Sequence, residues 1–417
     1  MIENSSSLKR IVVAIVASMI CCWAIWQAAL TGYARTLATY AQLTNQTDAA
    51  DRAVALSPRD AETHSARGIV LQRTENYSEA CDEFERAVQL RPRDYYLWMM
   101  LGVTRDLNQD QDGALRALRQ SVALAPVYAK PRWQLGNLLL RMGQADEAFS
   151  ELRKAASSDS SLWPNVTDLA WGVYRGDPKA VVLVIKPETD AARLALAIQF
   201  ASHHEGTAAI EQFRATRAAS NNNTQRLINE LLKAKAFTEA YEVWSRMRGL
   251  PLTNLALRNA GFEDPITVGH SDFGWQIPNV VNVTMSVDTA QHHSGARSLR
   301  IDFHGNSNPA SPLLTQLVLV KPGTHYHLTL SALSKELVSA AAPMITVTDA
   351  SDPKNAVLIQ SPSLNSEPNV WRDVAIDFNT NAGTQAVTIT LARQSCPNDP
   401  CPAVGTLWLD SFDLQVR

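Results

Sequence analysis

Gly68, Gly102 and Gly136 stand 34 residues apart, and that interval constrains the chain more than any other feature. Ala80, Ala114 and Ala148 keep it, and so do Pro58, Pro92 and Pro126. A fixed period of this length, carried by small residues at matched offsets, predicts an array of helix–turn–helix units. Where two antiparallel helices cross closely, Gly and Ala admit the neighbouring backbone and larger side chains fill the space around them. Phe84, Leu118 and Leu152 are those fillers, each four residues after its alanine and on the same helix face. Pro92 and Pro126 end the second helices and disfavour helix in the residue before them.

Trp98, Leu101, Gly102, Ala114, Leu118 and Pro126, together with Gly68, Tyr77, Ala80, Phe84, Ala87 and Pro92, resemble the tetratricopeptide repeat pattern. The resemblance implies an α-solenoid and an interaction scaffold rather than a catalyst. It sets three full repeats at 61–94, 95–128 and 129–162. Ala53 and Pro58 share the register of Ala87 and Pro92, so 39–56 reads as the second helix of a half repeat and the whole region as 39–162. Over 163–250 the register blurs, but Ala209/Phe213 and Ala240/Trp244 keep the small-then-large spacing. That stretch reads as degenerate helical repeats capping the array, with Asn221-Asn222-Asn223 as a connecting loop. Such superhelices bind protein partners in a concave groove lined by the first helix of each repeat. The groove candidates are Arg67, Arg105, Asn108, Asn137 and Arg141; a solvated helix face is the competing reading for each.

Residues 11–33 contain no charged side chain, enough length for one helix to cross a bilayer core. Tyr33 is placed as an interfacial ring, and Lys9 and Arg10 precede the run directly. The expectation is a single-pass inner-membrane anchor, with residues 1–10 as a cytoplasmic stub and the rest periplasmic or extracellular. A cleaved signal peptide and a lipoprotein Cys21 are the alternatives. The first is disfavoured by the length of the run and the second by Ile20 before the cysteine.

After Gly249-Leu250-Pro251, helical periodicity gives way to short alternating runs. They fall at 298–303, 314–320, 325–333, 344–350, 373–378, 386–392 and 406–416. Seven strands between turn-forming residues predict an antiparallel β-sandwich over 257–417. The fold class is therefore α then β: an N-terminal transmembrane helix, an α-solenoid and a C-terminal sandwich. Asn259-Ala260-Gly261-Phe262-Glu263, Phe273-Gly274-Trp275, Ser294-Gly295-Ala296-Arg297 and Leu409-Asp410-Ser411-Phe412 follow in an order that resembles carbohydrate-binding modules of the family 4/9/22 type. These are jelly rolls of the galactose-binding-like kind. The resemblance implies Glu263 and Asp410 as ligands of a structural calcium; carboxylates that merely accept backbone hydrogen bonds are the alternative. It also implies stacking rings for a glycan. Trp275 and Tyr326 are the candidates, with core packing as the competing reading for each, and Trp371 and Trp408 read more readily as core. Ser334-Lys335 stands where those modules usually carry a further aromatic.

The formal net charge of −3 gives no electrostatic case for a nucleic-acid partner, which would need a concentrated basic face, and that class is set aside. Cys396 and Cys401 flank a loop with two prolines, which a disulfide can staple; half of a metal site is the rival, but no second Cys or His pair lies nearby. Cys81 reads as a small buried hydrophobe. His292-His293, His203-His204 and His325-x-His327 lack a third ligand at a characteristic spacing, and no nucleotide loop, nucleophile elbow or zincin motif is present. No cofactor is required. The reading is a membrane-anchored, exported, non-enzymatic scaffold that binds a protein partner and, through its sandwich, a glycan, as in bacterial envelope or exopolysaccharide assembly. A purely structural interaction protein and a glycan-active enzyme are the alternatives.

Overall fold

The structure, a computed structural model, describes residues 3–217, 222–252, 257–266, 273–365, 369–396 and 400–417. Asn221 and the centre of the loop between Cys396 and Cys401 lie outside them. The chain divides into two compact units, Met1–Lys186 and Pro187–Arg417.

The first unit is helical. Its elements are α1 (Glu3–Thr44), α2 (Thr47–Leu56), α3 (Ala61–Arg73), α4 (Tyr77–Leu90), α5 (Tyr95–Leu107), α6 (Gln111–Leu124), α7 (Ala129–Arg141), α8 (Ala145–Ser158), α9 (Trp163–Val173) and α10 (Pro178–Ile185). The glycines sit where steric reasoning placed them. A Cβ on Gly68 would meet Phe84 at 2.9 Å, and one on Gly102 or Gly136 would meet Leu118 or Leu152 at 2.6 Å. Each filler therefore occupies the volume its glycine leaves open. The expected half repeat is a complete hairpin. The end of α1 supplies its first helix, and Ala34, 34 residues before Gly68, is fully buried. Ala50, in the register of Phe84, is buried against Ala41, Ala49 and Val70. Two alanines here replace the glycine and the large residue of later repeats. The hairpin turn at Asn45 comes four residues late in register, so the first helix is one turn longer and α2 is shorter.

α1 is one helix long and apolar enough to cross a membrane. Its side chains are exposed or half-buried from Ile11 to Tyr33, and beyond them one face, Ala34, Ala38 and Ala41, is buried, so one helix changes surroundings without a break.

The second unit begins with α11 (Asp190–Ser202), α12 (Gly206–Arg214), α13 (Asn222–Lys233) and α14 (Phe237–Arg248). Asn222 and Asn223 open α13 rather than forming the expected loop. The strands are β1 (Val283–Asp288), β2 (Ser298–Asn306), β3 (Leu314–Leu319), β4 (His325–Ser339), β5 (Pro343–Asp349), β6 (Val357–Gln360), β7 (Arg372–Asn379), β8 (Ala386–Arg393) and β9 (Pro402–Val416). They form two antiparallel sheets, ordered β1-β2-β9-β4-β7 and β3-β8-β5-β6. One core runs between them, built from Leu299, Ile301, Leu328, Ile345, Ile376, Ile389 and Leu407 among others. Alternation located seven strands and missed β1 and β6, whose side chains are mostly exposed or half-buried. The long central pair β4–β9 bends at bulges; at one of them Gly405 (φ 115°) lies so close to the Glu336 carbonyl that no Cβ fits.

Within this unit the helices contact the segments that carry the strands. Lys235, in the turn between α13 and α14, donates to the carbonyls of Ala350, Ser351 and Asp352 at 3.1, 3.1 and 2.7 Å. Tyr241 and Trp244 of α14 pack on Phe273 with ring centroids 5.0 and 5.7 Å away.

Candidate partner-binding face and the sandwich sites

In the first unit the first helices of successive repeats touch along one stripe. Lys130 lies 6.0 Å from the Tyr96 ring centre, Gln72 donates to Thr104 at 3.2 Å, and Arg141 pairs with Asp106. Tyr96 and Lys130 are one repeat apart, so residues at +4, +7 and +11 from each continue the same face. The stripe reads Glu62, Ala66, Ile69, Arg73 on α3, then Tyr96, Met100, Val103, Leu107 on α5, then Lys130, Gln134, Asn137, Arg141 on α7. Its middle row is apolar and exposed or half-buried, with Tyr96 38% exposed, between two rows that carry charge.

Of the five groove candidates, Asn137 and Arg141 lie on this stripe. Asn137 donates to the Trp133 carbonyl at 2.8 Å and Arg141 is held by Asp106. Arg67 and Arg105 do not line it. Arg67 bonds Asp51 at 2.6 Å and Glu83 at 2.8 Å, and Arg105 bonds Glu85 at 2.7 Å, so both reach back to second helices. Asn108 is the exposed residue that ends α5. Polar side chains on or at the end of first helices suggested these residues. The apolar row was legible from the register had it been projected onto the helix.

Beneath the stripe, three unlike side chains make one repeated hydrogen bond. His64, Trp98 and Arg132 reach the carbonyls of Pro58, Pro92 and Pro126 at 2.9, 2.9 and 2.8 Å. His64 is buried, and its Nδ1 lies 2.6 Å from Glu83, itself buried. Both ring nitrogens face acceptors, which assigns the imidazolium. The Glu83 carboxylate foremost, and then the Pro58 carbonyl, raise the His64 pKa against the cost of burial. Burial pushes Glu83 up, but His64 and Arg67 outweigh it and hold the carboxyl below its usual range. Arg132 pairs with Glu151 in the same way, and beside Trp98 the matching position is Ala117. Cys81 is buried as expected, and burial pushes its thiol up to about 11.

Residues 61–94 and 129–161 each match a model of the tetratricopeptide repeat. Residues 95–128 between them keep the spacing and the hairpin. The array is built of tetratricopeptide repeats. A peroxisomal targeting signal receptor of Candida albicans is 28% identical over 109 residues, and one of Kluyveromyces lactis is 27% identical over 103. Each match covers 25% of this chain and 18% of the receptor, so the chain spans less than a fifth of the relatives' length. Among solved structures, a MamA protein aligns with a TM-score of 0.31 at 16% identity, covering 50% of this chain and 96% of that one. YrrB, described as a TPR protein with an unusual peptide-binding site, aligns with a TM-score of 0.31 at 23% identity, covering 39% and 88%. A MamA fragment from Desulfovibrio magneticus aligns with a TM-score of 0.29 at 21% identity, covering 32% and 76%. The tetratricopeptide match marks the first unit as a protein-interaction scaffold.

The sandwich corrects the expectations placed on its rings. Trp275 is 4% exposed, stacked on Phe262, set edge-on to Phe412, and donating to the Asn259 carbonyl at 3.0 Å. Tyr326 is 6% exposed, stacked on Phe378, with its hydroxyl accepting from the Lys321 amide at 2.7 Å. Neither offers a face for a pyranose to stack on. Trp408 is buried as expected and donates to Asp288 at 2.8 Å. Trp371 is half-exposed beside His293 rather than buried.

Glu263 and Asp410 do meet at one place, the loop 293–297. Asp410 accepts from the amides of His293 and Ser294 at 2.8 and 2.9 Å, and Glu263 from those of Ala296 and Arg297 at 2.8 and 3.2 Å. Gly295 (φ 62°) lets the loop close on Glu263. Calcium wants six to eight oxygens. Among the described residues no cluster of three or more His, Cys, Asp or Glu could hold a metal. The donor set fits loop anchoring and does not fit calcium.

Cys396 and Cys401 are joined by a disulfide across a Cα separation of 6.2 Å. Arg393, missed in the sequence, secures it from inside. Its buried guanidinium donates to the carbonyls of Ala341, Ser307 and Cys401 and to the Ser307 and Ser339 hydroxyls, at 2.9 to 3.1 Å. Burial lowers its pKa. A positively charged residue at the end of a hydrophobic strand was the available signal.

Proposed function

We propose that the chain is a membrane-anchored, exported, non-enzymatic scaffold whose tetratricopeptide stripe binds a peptide segment of a protein partner. The apolar row Tyr96, Met100, Val103, Leu107, exposed between charged rows, carries this reading. A peptide laid across it buries apolar side chains at the centre and meets Arg73, Lys130 and Arg141 at the margins. The exposed apolar surface of α1 from Ile11 to Tyr33 supports the anchor in the inner membrane, and the disulfide suits an oxidising compartment outside it. The sandwich, with the jelly-roll landmarks of carbohydrate-binding modules, makes the second contact, with an envelope glycan, through residues other than Trp275 and Tyr326. No cofactor enters this reading.

A photocrosslinking residue at Val103 in intact membranes should capture one discrete partner, and Met100→Asp should abolish the adduct. Capture that persists in Met100→Asp, or that arises equally from Ala123 on the second helix α6, would overturn the assignment of the stripe.

A further inference from the structure

Because α1 passes unbroken from its exposed apolar segment into the first hairpin, it fixes which edge of the repeat array stands nearest that segment. Ala38 shares a buried cluster with Ala66, and Ala41 one with Val70, so α1 and α3 run side by side in the same direction. On that pairing Ala61, the first residue of α3, comes level with Gly32 and Tyr33. Arg35 holds the register, meeting Asp60, the N-cap of α3, at 2.6 Å and Glu62 at 2.9 Å. The exposed length from Ile11 to Tyr33 is about 33 Å at the rise of an α-helix, and a bilayer core is about 30 Å thick. A span of that length is used up at Tyr33, so the start of α3 emerges at headgroup depth.

The later first helices start on the same edge. Arg91, just before α5, reaches Asp60 and Glu62 at 3.4 Å, and Lys130 at the start of α7 lies over Tyr96 at the start of α5. The edge is made of the junctions 57–60, 91–94 and 125–128. Arg59 and Arg93 are exposed there, and their side chains make no ion pair or hydrogen bond among the described residues. Val127 is 72% and Tyr128 53% exposed, with Tyr128 propped against Tyr95 at a ring-centre distance of 5.0 Å. The acids of this edge are engaged. Asp60 holds Arg35 and Arg91, and Asp94 accepts the Tyr96 and Leu97 amides at 3.0 and 3.4 Å. The turns of the opposite edge, 74–76, 108–110 and 142–144, carry Glu75 and Asp110 and no lysine or arginine. Unpaired arginines with an exposed ring and valine suit an anionic bilayer surface: arginine for phosphate, tyrosine for the interface.

We infer that the junction edge of the array rests on the bilayer that α1 spans, with Arg59 and Arg93 on anionic lipid headgroups and Val127 and Tyr128 at the interface. This second attachment stops the array from swinging on its anchor and presents the stripe beside the membrane. It rests on the membrane anchor of the proposed function.

The full-length protein is reconstituted into vesicles of phosphatidylcholine with phosphatidylglycerol. One environment-sensitive fluorescent residue is introduced by codon suppression at Val127, at Asn108 on the opposite edge, or at Trp23 within the anchor. Quenching is read with lipids that carry a nitroxide on the headgroup or in the acyl chain. The acyl-chain label should quench Trp23, the headgroup label should quench Val127, and neither should quench Asn108. In Arg59→Gln with Arg93→Gln, the ratio of docked to lifted arrays should fall about fivefold per arginine lost, with Trp23 unchanged. Trp23 quenched while Val127 is quenched no more than Asn108 would overturn the edge contact and leave the anchor standing. Trp23 unquenched would remove the anchor and the contact with it. Val127 quenching that is the same in the double variant and in phosphatidylcholine alone would overturn the part assigned to the arginines.

Discussion

At the scale of single residues, the helix crossings show one volume divided in two ways. In the three full repeats a glycine yields space to Phe84, Leu118 or Leu152, whereas in the hairpin nearest the anchor Ala34 and Ala50 share it. Gly102→Ala should therefore cost about 1–3 kcal/mol, since its Cβ would lie 2.6 Å from Leu118. Leu118→Ala alone should cost about 2–5 kcal/mol by leaving a cavity. The double variant reproduces the Ala34–Ala50 pairing and should be more stable than the sum of the two losses by at least about 1 kcal/mol, measured by urea unfolding. Additive losses would mean that the two positions do not share a volume. The glycines were legible in the sequence as a period, and their steric cause was too. The Ala–Ala variant was not read, because alanine at both positions lacks the contrast of small and large residues that marks the later repeats.

At the scale of an element, the junction of α3 with α4 carries a titratable pair in its interior. His64 has its pKa raised above the ordinary 6.5, so its contribution is fully present below that value and is lost as pH rises through the folded-state pKa. Glu83 is held below its ordinary 4.5, so its contribution is present above that value and is lost as pH falls through the folded-state pKa. The first repeat should be most stable between those limits. Between about pH 6 and about pH 9 it should lose on the order of 1 kcal/mol, read as a falling urea midpoint. His64→Trp combined with Glu83→Ala installs the Trp98–Ala117 pair of the next repeat and should flatten that slope. An unchanged slope in this variant would place the titration elsewhere, with Arg67 and Arg86, the other groups facing Glu83, retained as internal controls.

For the whole molecule, the division of the chain matters most. Composition changes after Gly249, yet the compact unit begins at Pro187, because Lys235, Tyr241, Trp244 and Arg258 tie α13 and α14 to the sandwich. Residues 187–417 should melt in a single transition. Residues 257–417 alone should melt lower or aggregate, since removing α14 uncovers Phe273. EDTA should leave the melting temperature of 187–417 unchanged, because amides already occupy Glu263 and Asp410. A large loss with EDTA would restore a structural cation, and an equally stable 257–417 would refute the shared core.

The sequence by itself determined the tetratricopeptide register, the charge-free first helix and seven of the strands. Each of these is a local period or run, and a period reports which face of an element is buried. Only the tertiary structure decided what lies against that face. It placed Trp275 and Tyr326 in the core, turned Arg67 and Arg105 toward second helices, set Glu263 and Asp410 on backbone amides, and joined α14 to the sandwich around an unsatisfied indole. Those outcomes depend on contacts between residues far apart in the chain, and no spacing along one strand or helix encodes the partner at the other end of such a contact.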